Sequence, residues 1–117
     1  MAAATVNMTI EQGTTWTQQL QWKSGDPATA VNLTGYSARM MLRSVVTSST
    51  VALSLSSPSS GIAITAATGT FTLSATATTT AALTAGRYVY DLEAVSSGGQ
   101  VTRVCEGVVT VSAEVTR

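Results

Sequence analysis

Residues 85–112, AGRYVYDLEAVSSGGQVTRVCEGVVTVS, decide how the chain is read. Tyr88, Tyr90, Leu92 and Ala94 recur at every second position, and Val89, Asp91 and Glu93 fill the positions between. Successive side chains leave a strand on opposite sides, so this period of two marks a strand with one buried and one outward face. SSGGQ (96–100) supplies two glycines for a reversal, and VTRVCEGVVTV (101–111) returns with the same alternation. Gly107 interrupts the return, which predicts a β-bulge there, with Val109 and Val111 as the inward set beyond it. The stretch also holds five charged side chains: Arg87, Asp91, Glu93, Arg103 and Glu106. Whether they form a chemical site or the polar outside of a structural hairpin decides whether an enzyme is to be sought.

The same pattern repeats outward from this hairpin. Val6, Met8 and Ile10 alternate in TVNMTI (5–10). Trp16, Gln18, Leu20 and Trp22 share one face of TWTQQLQWK (15–23), and Thr17, Gln19 and Gln21 the other. SGDP (24–27) is turn chemistry. YSARMMLR (36–43) places Tyr36, Ala38, Met40 and Leu42 inward, and Ser37, Arg39, Met41 and Arg43 outward. Val51, Leu53 and Leu55 alternate in VALSL (51–55), and Phe71 and Leu73 in GTFTLSA (69–75). TATTTAAL (76–83) has no period of two; a short helical turn is predicted there, with Gly86 as its C-cap. Seven to nine short strands at intervals of about ten residues predict an all-β fold, an antiparallel β-sandwich of immunoglobulin-like type with at most one short helix. No long 3.6-residue periodicity is present to supply the crossover helices of a parallel sheet. The chain reads as a single domain, 1–117, with extended N- and C-terminal ends. The expected core is Trp16, Leu20, Trp22, Tyr36, Ala38, Met40, Leu42, Leu53, Phe71, Leu73, Tyr88, Tyr90 and Leu92.

Composition narrows the chemistry. Net charge is zero and 10% of residues are charged, so neither the basic footprint of nucleic-acid binding nor a polybasic membrane patch is expected. No apolar run approaches the roughly 18 residues of a membrane span. MAAATVNMTI (1–10) lacks the basic and apolar regions of a secretion signal, and a soluble protein made in a cytosol is expected. There is no histidine, which removes the usual general base and the commonest transition-metal ligand. The single cysteine, Cys105, cannot form an internal disulfide or a thiolate zinc cluster and reads as a small hydrophobe. The many serines lack a base, and SSGGQ lacks the lysine and following helix of a phosphate loop. No catalytic residue, metal, cofactor or small-molecule substrate is expected. Threonine and serine make up roughly 30% of the chain, far above ordinary usage, yet the strand-periodic Val, Ile and Leu argue for order.

Asp91 and Glu93 stand on the outer face of one strand, and Arg103 stands opposite or diagonal to them on the next. Arg39 and Arg43 join them if their strand is adjacent. Opposite charges across an antiparallel pair add about 0.2–1 kcal/mol, and a solvated or interfacial ion-pair face is the favoured reading. The sharper reading is a carboxylate pair for glycoside hydrolysis, at a tolerable separation of about 7 Å, but nothing supplies a cleft, sugar platforms or a lid. Trp16 and Trp22 fall on the face of Leu20 and read as core before a stacking platform. Tyr88 or Tyr90 is expected to tie its hydroxyl to a loop backbone, as at a tyrosine corner.

Four strings carry a resemblance: TIEQGTTWTQQLQW (9–22), LTGYSARMMLR (33–43), GTFTLSATATTTAALTAGRYVYDLE (69–93) and VTRVCEGVVTVSAEVTR (101–117). They resemble a group of small tail-associated virion proteins of bacteriophages and, more loosely, the immunoglobulin-like N-terminal domain of phage upper baseplate proteins. The resemblance spans Thr9 to Arg117 and implies a non-enzymatic virion structural protein, made in the host cytoplasm. Such a protein would be a tail, baseplate or fibre-anchoring module docking on other virion proteins and copies of itself. A capsid decoration protein and a carbohydrate-binding host-attachment module are the alternatives. The candidate partner contacts are Arg39, Arg43, Asp91, Glu93, Arg103, Glu114 and Arg117. Both ends, MAAATVN (1–7) and SAEVTR (112–117), would fray in a lone domain and order against a neighbour.

Overall fold

A computed structural model describes residues 3–24, 28–57 and 60–116. In chain order its strands are β1 (Ala4–Thr5), β2 (Met8–Glu11), β3 (Trp16–Gln21), β4 (Lys23–Ser24), β5 (Thr29–Ala30), β6 (Ser37–Arg43), β7 (Leu53–Ser56), β8 (Ile62–Thr65), β9 (Thr70–Ala75), β10 (Gly86–Val95) and β11 (Val101–Ser112). A 3-10 turn (Ala66–Thr68) precedes β9, and a helix, α1 (Ala77–Ala81), follows it. The larger sheet has the order β1-β11-β10-β6-β7, with β2 also on the β11 edge, and the smaller has the order β3-β9-β8. β4 and β5 form a separate ribbon. This is an all-β, immunoglobulin-like sandwich with one short helix. Its named pairings are antiparallel except at one edge, where β1 and β2 run parallel to β11.

Between the two sheets lies the core. Ten of the thirteen expected residues are buried, with Phe71, Leu73, Leu42 and Leu92 fully so. Trp22, Tyr36 and Tyr88 are only half-buried and pack against it. Trp22 and Tyr36 meet edge to face, with centroids 6.0 Å apart. Val51 is exposed, because the strand expected to open there begins at Leu53.

Local chemistry explains the connections. In α1, the Thr76 side chain accepts from the Thr79 N–H at 3.2 Å, an N-cap. The buried Thr80 hydroxyl donates to the Thr14 carbonyl at 2.7 Å and ties the helix to the turn before β3. The helix closes at Ala82 in right-handed geometry, so Gly86 is not its C-cap and instead opens β10. The Tyr88 hydroxyl donates to the Thr84 carbonyl, a tyrosine corner at the start of β10.

Two expectations about β11 and its edge need correction. The bulge lies at Val104: Leu92 pairs with Cys105 and Glu93 with Arg103, leaving Val104 as the extra residue. Gly107 sits in regular pairing with Tyr90. Its missing side chain makes room for the N-terminal segment, since a Cβ there would collide with the Val6 carbonyl oxygen and lie 2.9 Å from Asn7 Oδ1. Close backbone approach is the other reason a strand holds a glycine. The N-terminal segment is paired within its own chain rather than extended. Val6 N–H donates to the Glu106 carbonyl, the Tyr90 hydroxyl donates to the Val6 carbonyl at 2.6 Å, and Val108 N–H donates to Asn7 Oδ1 at 3.0 Å. A bare β11 edge would present unpaired backbone groups, and this segment covers them. Towards the other end, Glu114 N–H donates to Gln12 Oε1 at 2.9 Å.

Candidate functional site

The outer face of the larger sheet gathers seven of the chain's twelve charged residues: Arg39 and Arg43 from β6, Arg87, Asp91 and Glu93 from β10, Arg103 and Glu106 from β11. Strand register sets them in rows. Arg39, Glu93 and Arg103 form one row; Met41, Asp91 and Glu106 the next; Arg43, Val89 and Val108 the third. Arg39 Nε donates to Glu93 Oε1 at 2.8 Å. Arg103 reaches Asp91 at 3.4 Å and Glu106 at 3.1 Å.

The bulge makes this cluster possible. Residues three apart on an unbroken strand point to opposite faces. The extra Val104 reverses that parity, so Arg103 and Glu106 share the outer face while Val104 and Cys105 are both buried. Asp91 and Glu106 are direct cross-strand neighbours, a like-charge pairing that destabilises a sheet. Arg103 stands between them and offsets it. These side chains are about half-exposed, so each ion pair contributes no more than about 1 kcal/mol.

Arg43 is used differently. Its guanidinium donates to the Ser48 carbonyl at 2.8 Å and holds the β6–β7 loop over the face; among the described residues it has no carboxylate partner. That loop, with the exposed Met41 and Val46, walls a groove of about 510 Å³ across the charged rows.

Five of the seven candidate contact residues therefore lie together. Glu114 does not: its carboxylate rests against Gly13, beyond the far end of β11. Arg117 lies outside the described residues. Glu106 belongs to the cluster although it is not among the candidates read from sequence. The signal for it is the consecutive apolar pair Val104–Cys105 in an otherwise alternating strand.

The arrangement argues against acid–base work by the carboxylates. Asp91, Glu93 and Glu106 each have an arginine partner on an open sheet face. Among the described residues no group of three or more Cys, Asp or Glu is placed to hold a metal ion, and no helix is long and apolar enough to cross a membrane. Trp16 is buried and Trp22 stands edge-on against Tyr36, so the two do not form a stacking platform.

Beneath the face lies Cys105, buried beside the Tyr90 hydroxyl. Burial pushes its thiol above the ordinary 9.0; the Tyr90 contact lowers it, and Asp91 and Glu106 raise it further. Burial, reinforced by Cys105, also drives the Tyr90 phenol well up from its ordinary 10.0. Below the unfolded-state values both states keep their protons, and stability is fully present. As pH climbs from about 9 towards the folded-state values, the unfolded chain sheds its protons first and stability falls, by up to about 1.4 kcal/mol per pH unit per group. Urea titrations at pH 8 and pH 10.5 are expected to show that loss, and Cys105→Ala to flatten its first part. An unchanged midpoint between the two pH values would contradict the burial of both groups.

Fold and face together define a class: an immunoglobulin-like β-sandwich with a charged, grooved outer sheet. No protein-family model and no curated protein matches the chain. Among solved structures it is similar to CopC from Methylosinus trichosporium OB3b, 16% identical over 98% of this chain and 90% of that chain, with a TM-score of 0.49. At that identity and TM-score the likeness carries no argument about function. The bacteriophage expectation is corrected here: CopC is not a phage protein, and no family model or curated protein matches that would connect the four strings to virion components. The tail, baseplate, fibre-anchoring, capsid-decoration and host-attachment roles fall with it, as does the virion location. Strings such as EGVVTVS mislead for a physical reason. Threonine alternating with aliphatic residues between glycines suits any half-buried strand, so such strings report strand geometry rather than kinship.

Proposed function

We propose that this chain is a non-catalytic binding module that docks a protein partner on the outer face of its larger sheet. The observation that carries this reading is the concentration of more than half the charged residues on that face, most of them in arginine–carboxylate rows around the exposed Met41 and Val46. The outer face of the smaller sheet offers a contrast, with Thr17, Gln19, Gln21, Thr72 and Ala63 and no charge. Arginine and methionine are enriched at protein interfaces. The sequence has no histidine, and Cys105 is buried with its thiol held protonated, which supports a non-catalytic role. Zero net charge favours a protein partner over nucleic acid or an anionic membrane.

A photo-crosslinking amino acid at Met41, compared with one at Gln19, tests the reading in the cells that make the protein. Protein adducts are expected from Met41, absent from Gln19, and lost when Glu93→Arg is added to the Met41 variant. Equal labelling from both positions, or no adduct from Met41, would overturn the proposal.

A further inference from the structure

We infer that the partner is a second copy of this chain, docked face to face about a two-fold axis that runs along the strands between β6 and β10. The inference rests on the protein-binding reading above and deepens it. What carries it is the way charge is sorted by strand. Over the rows that β6 and β10 share on this face, β6 presents only positive charge, Arg39 and Arg43, and β10 only negative charge, Asp91 and Glu93; the exposed Arg87 of β10 lies one row further on, beyond the end of β6. A two-fold axis along the strands exchanges the two columns and keeps the rows. Arg39 of each copy then faces Glu93 of the other, and Met41 faces Asp91. Arg43, which has no carboxylate partner among the described residues, comes to face Val89 of the second copy, diagonal to its Asp91 on one side and to its Arg87 on the other. Sheets pack face to face about 10 Å apart, a gap that an arginine and a carboxylate side chain span together.

The alternative two-fold axis fails on the same grid. An axis across the strands, through the row of Met41 and Asp91, sets Arg39 against Arg43 and Asp91 against its own copy. Like charges brought together suppress such a pairing. The outer strands do not oppose the favoured arrangement, because Arg103 and Glu106 on β11 come to face the uncharged Ser56 and Ser54 on β7 of the second copy. The self-complementarity therefore selects one isologous orientation.

Strength follows from size and charge. Four strands at about 4.8 Å and a seven-residue β6 at about 3.4 Å per residue give a face on the order of 500 Å² per copy. That lies below the standard interface of about 800 Å² per partner, so the pair is weak and transient. Its contacts are exposed charges, which about 1 M salt screens within roughly 3 Å.

Sedimentation velocity tests this directly, from about 10 μM to 1 mM, a range that brackets weak association. The wild-type chain is expected to shift from monomer towards dimer at low salt and to return to monomer at high salt. Arg39→Glu and Glu93→Arg, each alone, are expected to stay monomeric, because each puts like charges across the axis. Mixed in equal amounts, the two variants are expected to dimerise again. The glutamate introduced at position 39 of one copy then faces the arginine introduced at position 93 of the other, and the remaining native pair faces correctly as well. Neither variant regains an ion pair between positions 39 and 93 within its own chain, so rescue on mixing reports only a contact between copies. A wild-type chain that stays monomeric throughout, or a mixture that sediments like the separate variants, overturns the inference. The wild-type result decides even if a variant fails to fold. A monomeric wild type that still gives Met41 adducts to other proteins overturns self-association alone; a chain with no Met41 adducts loses both readings.

Discussion

Replacing Phe71 by alanine is expected to lower the unfolding free energy by about 3–5 kcal/mol. Phe71 is fully buried in β9, the central strand of the smaller sheet. It pairs in register with Leu20 on one side and Ile64 on the other, so its neighbours belong to two ladders and cannot collapse into the space without disturbing both. The chain has no disulfide and one phenylalanine, and small domains are stable by only about 5–15 kcal/mol. The substitution therefore removes a large share of the total. Urea titration is the measurement: the midpoint should fall while the denaturant slope stays constant, the mark of a stability change without a change in the exposed surface. Phe71→Leu, which keeps most of the volume, should cost under about 1.5 kcal/mol. A loss below about 1 kcal/mol for the alanine variant, the size of an average substitution, would place Phe71 outside the core.

That Phe71 is central is legible because GTFTLSA alternates strictly, and the same holds for Ser37–Arg43 and Gly86–Val95. A period of two reports which face each side chain takes, and it needs no knowledge of neighbours. The positions that mislead depend on contacts distant in sequence. Gly107 reads as a bulge because a lone glycine in a strand signals either irregular pairing or a close approach, and the approaching segment, Val6–Asn7, is about a hundred residues away. The true bulge leaves only the apolar doublet Val104–Cys105 as its trace. Trp22, Tyr36 and Tyr88 follow the apolar faces of their segments but are only partly buried; Trp22 and Tyr36 lie just outside β3 and β6, and Tyr88 lies near the start of β10. The candidate site is half legible. The outward set on each strand can be read, but that β6 lies beside β10, across three intervening strands in sequence, is a matter of topology. Without that adjacency the arginine column and the carboxylate column cannot be recognised as one surface.

Gly107→Val is expected to cost about 1–3 kcal/mol although it inserts a good strand former into a strand. The new side chain meets the Val6 carbonyl oxygen and Asn7 Oδ1. Overpacking of this kind costs about 1–3 kcal/mol. If Val6 withdraws instead, the Tyr90 hydroxyl loses the carbonyl to which it donates, and a buried donor left unsatisfied costs about 1–3 kcal/mol. The Val6–Glu106 and Val108–Asn7 hydrogen bonds go with it. A double-mutant cycle separates these causes from a local effect of valine within β11. In a chain that begins at Met8 there is nothing for the valine to strike, and the same substitution should be close to neutral or slightly stabilising. Truncation alone should cost stability and raise exchange at the Val108 amide, whose acceptor it removes. An equal penalty for Gly107→Val in the full and the truncated chain would mean that the collision with Val6 is not what the glycine avoids. The expected non-additivity also bears on the proposed contact surface, because Thr5 pairs with Glu106 at the margin of the charged rows. A displaced N-terminal segment bares the β11 edge beside the face that is proposed to dock a second copy, and an uncovered edge invites indiscriminate strand pairing. Gly107→Val is thus expected to replace a salt-sensitive, saturable dimer with open-ended association that high salt does not reverse.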